Sequence, residues 1–200
     1  MGLIIGIEST AHTFSFGAVS RDGSEVLPST SSLYRPEEGG IHPREAADHH
    51  VEYAGELLRN AMAKWEARKE DIEAIAFSQG PGLGPCLRVG GSVARSMSMA
   101  LAVPLIGVNH CVAHIEIGRR MTGCVDPILL YVSGGNTQVI ARASGRYRVL
   151  GETLDIGIGN MLDKFGRSIG RPFPGGPEIE RKASRFIQKT GFNHLLELPY

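Results

Sequence analysis

One pattern occurs twice in this chain, and it constrains the fold more than anything else in the sequence. Residues 3–7 are a short apolar run, residues 8–13 a polar turn and residues 14–19 a returning strand. Arg21-Asp22-Gly23 is a second turn signal, and residues 24–27 read as a third strand. From residue 128 the same order returns: apolar 128–132, a turn at 133–137, a strand at 138–141, the turn Ser144-Gly145 and a strand at 147–150. A strand–turn–strand–turn–strand unit repeated at similar spacing is a duplication.

The first copy is extended by alternating helices and strands. Ala46, Ala47, Val51, Ala54, Leu57, Leu58, Ala61 and Trp65 recur at helical spacing within 44–65. His49 and His50 lie on that helix, where solvent or packing accounts for them. A buried strand at 71–77 ends in the Gly/Pro loop 78–85, a helix follows at 87–102, and a strand at 103–108 leads into another helix, for which Asn109 is the expected N-cap. Residues 29–43, with Pro36, Gly39, Gly40 and Pro43, read as a long irregular stretch, either a cover over a site or a surface loop. A meander extended by parallel strands and crossover helices is an α/β layer architecture. Two such copies facing each other make the duplicated two-lobe fold shared by actin, sugar kinases and heat-shock ATPases, in which the first hairpin turn of each copy holds phosphates. Residues 1–125 are then the first lobe and residues 126–200 the start of the second.

The second copy supplies two helical pieces, 159–169 and 178–190, around the stiff loop 171–177. It offers no later strand and stops in mid-pattern at Leu198-Pro199-Tyr200. Such a sheet has an unpaired edge and an uncovered apolar face. The natural protein is therefore expected to be longer, on the order of 300 residues if both lobes are of ordinary size.

Composition narrows the function classes. With 21 basic and 21 acidic residues the formal charge is zero, which argues against an unaided nucleic-acid binder. The 42% hydrophobic content fits a globular core, and no apolar run is long enough to span a bilayer. Three cysteines without motif spacing suit a reducing, cytoplasmic setting. The 26 glycines exceed what ordinary turns need and suggest ligand sites lined by backbone.

Two stretches carry chemistry. His110 and His114, four residues apart, share one face of a helix one turn apart, a workable bite for a single metal ion. The same spacing also serves packing or surface. Cys111 follows His110, so this is not the His-Glu-x-x-His arrangement whose Glu is a protease base. Tyr131-Val132-Ser133-Gly134-Gly135-Asn136-Thr137 reads as strand, tight turn and strand. Adjacent glycines in such a turn expose backbone N–H groups that can cradle a phosphate, although most such turns are plain hairpins. Tyr131 adds a candidate oxygen ligand at the strand end.

Six segments in order carry a family resemblance: Gly6-Ile7-Glu8-Ser9-Thr10, Gly39-Gly40-Ile41-His42-Pro43, Ser78-Gln79-Gly80-Pro81-Gly82, Asn109-His110-x-x-x-His114, Tyr131 to Thr137, and Pro174-Gly175-Gly176-Pro177. Together they resemble the universal tRNA threonylcarbamoyladenosine transferase family. Its bacterial member is TsaD, and its archaeal and eukaryotic member is the catalytic subunit of the KEOPS complex; the Gly-Gly-Ile-His-Pro-Arg-Glu segment and Tyr131 resemble the latter branch. The resemblance implies a metal-dependent acyltransferase that moves a threonylcarbamoyl group from threonylcarbamoyl-adenylate to the adenosine beside the anticodon, in tRNAs reading codons that begin with A.

Residue by residue, His110 and His114 match the family's metal histidines and Tyr131 a further ligand. Tyr131, Ser133, Gly134 and Gly135 match its phosphate-contacting turn, Asp163 the carboxylate near the ribose, and Gly176 and Glu180 the purine and ribose contacts. One divalent metal per chain is implied, with the phenolate favouring iron and zinc the alternative, together with an adenine nucleotide (threonylcarbamoyl-adenylate, AMP or ATP). The partners implied are tRNA, a small kinase-like ATPase, separate or fused C-terminally, and a small dimerising subunit, with no membrane. The family's Asp metal ligand and its Asn near the base belong to the later second lobe and are not found in this sequence. The rival readings are a nucleotide-binding scaffold or ATPase of the same fold and, more remotely, a metalloprotease, which would need a general base beside the metal.

Overall fold

The structure, a computed structural model, describes residues 2–36 and 40–192. Gly39 of the Gly-Gly-Ile-His-Pro segment and the terminal Leu198-Pro199-Tyr200 lie outside the described residues. The chain divides into two compact units, with the break after Pro127.

In the first unit the apolar run opening the chain forms the strand Leu3–Glu8 (β1), whose pleat buries Leu3, Ile5 and Ile7 on one face. Thr13–Ser20 (β2) returns antiparallel to it, burying Phe14 and Phe16, whose rings meet edge to face at 5.5 Å. Val26–Leu33 (β3) pairs with β2 at the edge of the sheet. Ile72–Gly80 (β4) and Leu105–Asn109 (β5) add in parallel on the other side, giving the order β3-β2-β1-β4-β5. Three helices accompany them: Pro43–Lys64 (α1), Gly84–Leu101 (α2) and His110–Thr122 (α3). Leu57 and Ala61 of α1 and Ala94 of α2 join Ile5, Ile7, Phe14, Phe16 and Ile75 in one core, closed by Trp65, whose Nε1 donates to Pro28 O at 2.8 Å.

β3 is longer than expected. Residues 29–33, read as the start of an irregular stretch, are strand. Pro28 removes an amide, but β3 is an edge strand, where a missing donor is tolerated. The register slips opposite Gly17, from Phe16↔Thr30 to Ala18↔Leu27, so a bulge accommodates Pro28 and Ser29. α2 also starts earlier than expected, because Pro85 sits in its first turn, where no helical partner for its amide is needed.

The second unit opens with the meander Ile128–Val132 (β6), Thr137–Ala143 (β7) and Arg146–Glu152 (β8), antiparallel throughout and in the order β6-β7-β8. Tyr131 and Ile140 are buried, whereas Ile128, Leu130 and Val132 face outward at 72%, 63% and 48% exposure. Two helices follow, Ile158–Ser168 (α4) and Gly175–Thr190 (α5). The Gly175-Gly176-Pro177 end of the expected stiff loop is instead the first turn of α5. Pro174 is its N-cap, and the proline at 177 falls where helical amides have no partner. Among the described residues no helix is long and apolar enough to cross a membrane.

Candidate functional site

At the end of β5 the Asn109 side chain accepts hydrogen bonds from the amides of Cys111 (3.0 Å) and Val112 (3.2 Å), which caps α3 and sets its first residue at His110. The next turn brings His114 beside it. Their Nε2 atoms are 3.3 Å apart and their rings stand nearly perpendicular at 83°. Two nitrogens that each bind one tetrahedral ion at roughly 2.0–2.1 Å lie about 3.3 Å from each other, so the pair fits two ligands of a single metal. Among the described residues no set of three or more His, Cys, Asp or Glu side chains is placed to hold an ion. In the described first unit, then, two imidazoles stand where they could share one ion.

Glu8, at the C-terminal end of β1, stands at the other nitrogen of His110, with Oε2 3.2 Å from Nδ1. Three further donors hold its carboxylate. Oε1 accepts from the Thr10 amide at 2.7 Å and from the Thr10 hydroxyl, and Oε2 accepts from the Ser78 hydroxyl on β4. Burial pushes its pKa up, but hydrogen bonds from His110, Ser78 and Thr10 outweigh burial and hold it at about 2. His114 is pushed below the ordinary histidine value by burial and then by neighbouring His110, against an opposing pull from Glu8. Neutral imidazole is the form that ligates metal.

The turn that carries Glu8 into place is packed from α2. Ser9 and Thr10 are buried, the Thr10 carbonyl accepts from Leu83 N at 2.7 Å, and a Cβ on Gly90 would fall 2.0 Å from Ser9 Oγ. A Cβ on Gly82 would fall 2.6 Å from the Thr10 carbonyl, so both positions admit only glycine without movement. Glu8 was legible only as part of a polar turn. The available signal was an acidic residue ending a buried strand, a place where α/β sheets put their ligand-facing groups.

In the second unit, Tyr131 is buried on β6 opposite Gln138, and the turn after it is tightly built. The Ser133 amide donates to the Asn136 carbonyl at 3.0 Å. Its hydroxyl also donates to that carbonyl and accepts from the Asn136 amide. Ser133 therefore spends its donors on the turn itself. Among the described residues nothing occupies the amides of Gly134 and Gly135, and both glycines are exposed. The N-terminus of α4 lies directly on this turn, with Gly159 N donating to Ser133 O at 3.0 Å and Ile158 N to Thr137 Oγ1 at 2.9 Å. Cβ atoms on Gly157 and Gly159 would fall 2.7–2.8 Å from turn backbone. Those two glycines carried no functional reading in the sequence, yet they let a positive helix end approach the exposed amides.

Asp163 sits on α4, where its Oδ1 accepts from Gly175 N at 2.7 Å, so it tethers the first turn of α5. The helices approach closely there: a Cβ on Gly166 would lie 3.0 Å from Gly175 Cα. Gly176 has open space where a Cβ would stand, and Glu180 is exposed on α5. The structure thus brings His110 and His114 together in the first unit. In the second it places the Ser133–Gly135 turn against α4, and Asp163 against the α5 turn that holds Gly176. The chemistry on offer is a divalent-cation grip in one unit and, in the other, a cluster of backbone donors suited to an anion.

Comparison with known proteins gives these features a context. Residues 25–199 match the family model for tRNA N6-adenosine threonylcarbamoyltransferase. A probable bifunctional tRNA threonylcarbamoyladenosine biosynthesis protein from Thermoplasma volcanium is 54% identical over 99% of this chain and 36% of its own length. A tRNA N6-adenosine threonylcarbamoyltransferase from Methanococcoides burtonii is 50% identical over 94% of this chain and 57% of its own. The chain therefore spans from about a third to under three fifths of these relatives. Among solved structures, YeaZ from Pseudomonas aeruginosa has a TM-score of 0.53 at 16% identity, covering 80% of this chain and 68% of that one. The ethanolamine utilization protein EutJ from Carboxydothermus hydrogenoformans has 0.51 at 18%, covering 94% and 65%. These likenesses concern the fold alone, the mixed α/β class of actin, sugar kinases and heat-shock ATPases. With the match over residues 25–199 and identity of half or more to archaeal relatives, the chain belongs to the tRNA N6-adenosine threonylcarbamoyltransferase family.

Proposed function

We propose that this chain takes part in forming threonylcarbamoyladenosine in tRNA, transferring the threonylcarbamoyl group of threonylcarbamoyl-adenylate to the exocyclic amine of the adenosine next to the anticodon. The observation that carries the reading is the pair of imidazole Nε2 atoms 3.3 Å apart, in a chain of this family. In the reaction the amine nitrogen bonds to the carbamoyl carbon, the bond from that carbon to the adenylate oxygen breaks, AMP departs and the amine loses a proton. Adenylate is a good leaving group, so the chemistry needs charge stabilisation more than a strong base.

His110 and His114 would hold the divalent metal; iron is favoured and zinc is the alternative. When bound, that ion supplies Lewis-acid and template chemistry. The Gly134 and Gly135 amides, backed by the α4 N-terminus, would carry the phosphate as charge builds on it. Gly176 and Glu180 would meet the purine and ribose. Asp163 would act on the nucleotide through its free oxygen while its other oxygen keeps α5 in place. The neutral overall charge leaves much of the tRNA selectivity to partner subunits of the KEOPS type, including a kinase-like ATPase and a small dimerising subunit, in the cytoplasm.

The test is incubation of the protein with threonylcarbamoyl-adenylate, unmodified tRNA and those subunits, scoring the nucleoside by mass spectrometry. Product is expected, and His110→Ala with His114→Ala should abolish it. No product under conditions in which the Methanococcoides burtonii relative makes it would overturn the proposal.

A further inference from the structure

We propose that Glu8 is a positioning residue for the His110–His114 pair: by accepting from His110 Nδ1 it fixes the tautomer and the ring plane that aim the Nε2 lone pair at the bound cation. The inference rests on the metal reading above and deepens it.

The geometry is directional. An ionised carboxylate only accepts hydrogen bonds, so a nitrogen 3.2 Å from Glu8 Oε2 must carry the proton. With Nδ1 protonated, neutral His110 leaves Nε2 as an acceptor, and Nε2 is the atom that faces His114 Nε2 at 3.3 Å. Glu8 meets the far nitrogen of the ring, so its part is to orient a ligand from behind. A carboxylate behind a metal-binding imidazole also raises the basicity of the nitrogen in front.

Glu8 can do this because it is itself immobilised. Its oxygens take donors from the turn after β1 (Thr10 N and Oγ1), from β4 (Ser78 Oγ) and from α3 (His110). Residues 102 apart in sequence are joined here, and β1 and β4 are neighbours in the sheet. The His110 side chain is only 15% exposed. A carboxylate that merely latched α3 to the sheet would need the same nitrogen protonated but would leave metal affinity untouched once the helix is in place.

The experiment reads tautomer and affinity separately, on the protein at pH 7.5. Two-bond ¹H–¹⁵N spectra of metal-free protein should show His110 protonated at Nδ1, with Nε2 bare. Cobalt(II) titration followed by visible absorption, then zinc competition, should show wild type binding one ion. Glu8→Gln should bind roughly 10–100-fold more weakly, with the His110 tautomer mixed and far-UV circular dichroism unchanged. If wild type takes up neither cobalt nor zinc, the metal reading fails. If wild type binds and Glu8→Gln binds equally, or more weakly with the tautomer unchanged, the positioning role fails while the metal reading stands. Should Glu8→Gln not fold, the wild-type spectrum decides: a His110 protonated mainly at Nε2 overturns the inference.

Discussion

Gly159→Ala sets two effects against each other, and their signs differ. Alanine in place of glycine favours a helix by roughly 0.5–1 kcal/mol, so on local propensity α4 should gain. The contact opposes this. A Cβ at Gly159 would lie 2.7 Å from Ser133 O and 2.9 Å from Gly134 N. The first distance falls short of the 3.4 Å where ordinary contact begins by roughly 0.7 Å, and both neighbours are backbone, which cannot swing aside. Overpacking of this kind costs about 1–3 kcal/mol, and pushing the turn away also weakens the Gly159 N–Ser133 O bond, worth about 0.5–1.5 kcal/mol. The contact wins, and the variant should lose about 1–3 kcal/mol in urea denaturation followed by circular dichroism. The displaced Gly134 amide should also weaken AMP binding in calorimetry. Gly134→Ala is the partner experiment: its Cβ meets only Asn160 Oδ1, at an ordinary 3.7 Å, so it should keep stability yet crowd the exposed amides and bind AMP more weakly. Gly159→Ala with wild-type AMP affinity and an unchanged or higher urea midpoint would refute the packing of α4 on the Ser133–Asn136 turn.

Further outcomes follow from other parts of the chain. Replacing both His110 and His114 with alanine should remove the metal, about one iron or zinc per chain by elemental analysis, and leave the circular dichroism intact; stoichiometric metal in the double variant would exclude the pair. His50 is fully buried, with Nε2 2.9 Å from the Ala11 carbonyl and no partner for Nδ1 among the described residues, and burial lowers its pKa. The unfolded chain then binds the extra proton more readily. This stability is present above about pH 6.5 and is lost as pH falls through the lower folded value, by at most about 1.4 kcal/mol per pH unit. Urea midpoints measured from pH 7.5 to 5 should show this slope, and His50→Gln should make it shallower. Asp163→Ala should weaken nucleotide binding and cost about 1 kcal/mol through the lost bond to the α5 first turn, whereas Glu180→Ala, on an exposed side chain, should change binding alone. Equal stability of the two variants would contradict the tether.

How much of the site was legible depends on how far apart its parts lie in sequence. His110 and His114 are one helical turn apart, and Asn109 stands where a cap must stand, so the closeness of the two rings could be read from local spacing. The Ser133–Asn136 turn could be read for the same reason, although its bonding could not: which amides are spent on the turn depends on how the Ser133 hydroxyl is used. The third strand was expected to stop at residue 27, since nothing local says that β3 lies at an edge, where Pro28 is tolerated. The first turn of α5 was taken for a loop because glycine and proline are poor helix residues; Asp163, on another helix, supplies the acceptor that starts it.

The duplicated meander, the amphipathic α1 and the histidine spacing were settled by the sequence alone, since alternation with period two and recurrence near 3.6 are properties of neighbouring residues. Parallel pairing of β1 with β4 was what brought Glu8 to Ser78 and to the Nδ1 side of His110. The close seat of α4 on the Ser133–Asn136 turn needed Gly157 and Gly159 to be small where helix and turn meet. Both arrangements join groups that a strand pattern or helix period cannot relate, because hydrogen bonds and van der Waals contacts act over a few ångströms of space and are indifferent to separation along the chain.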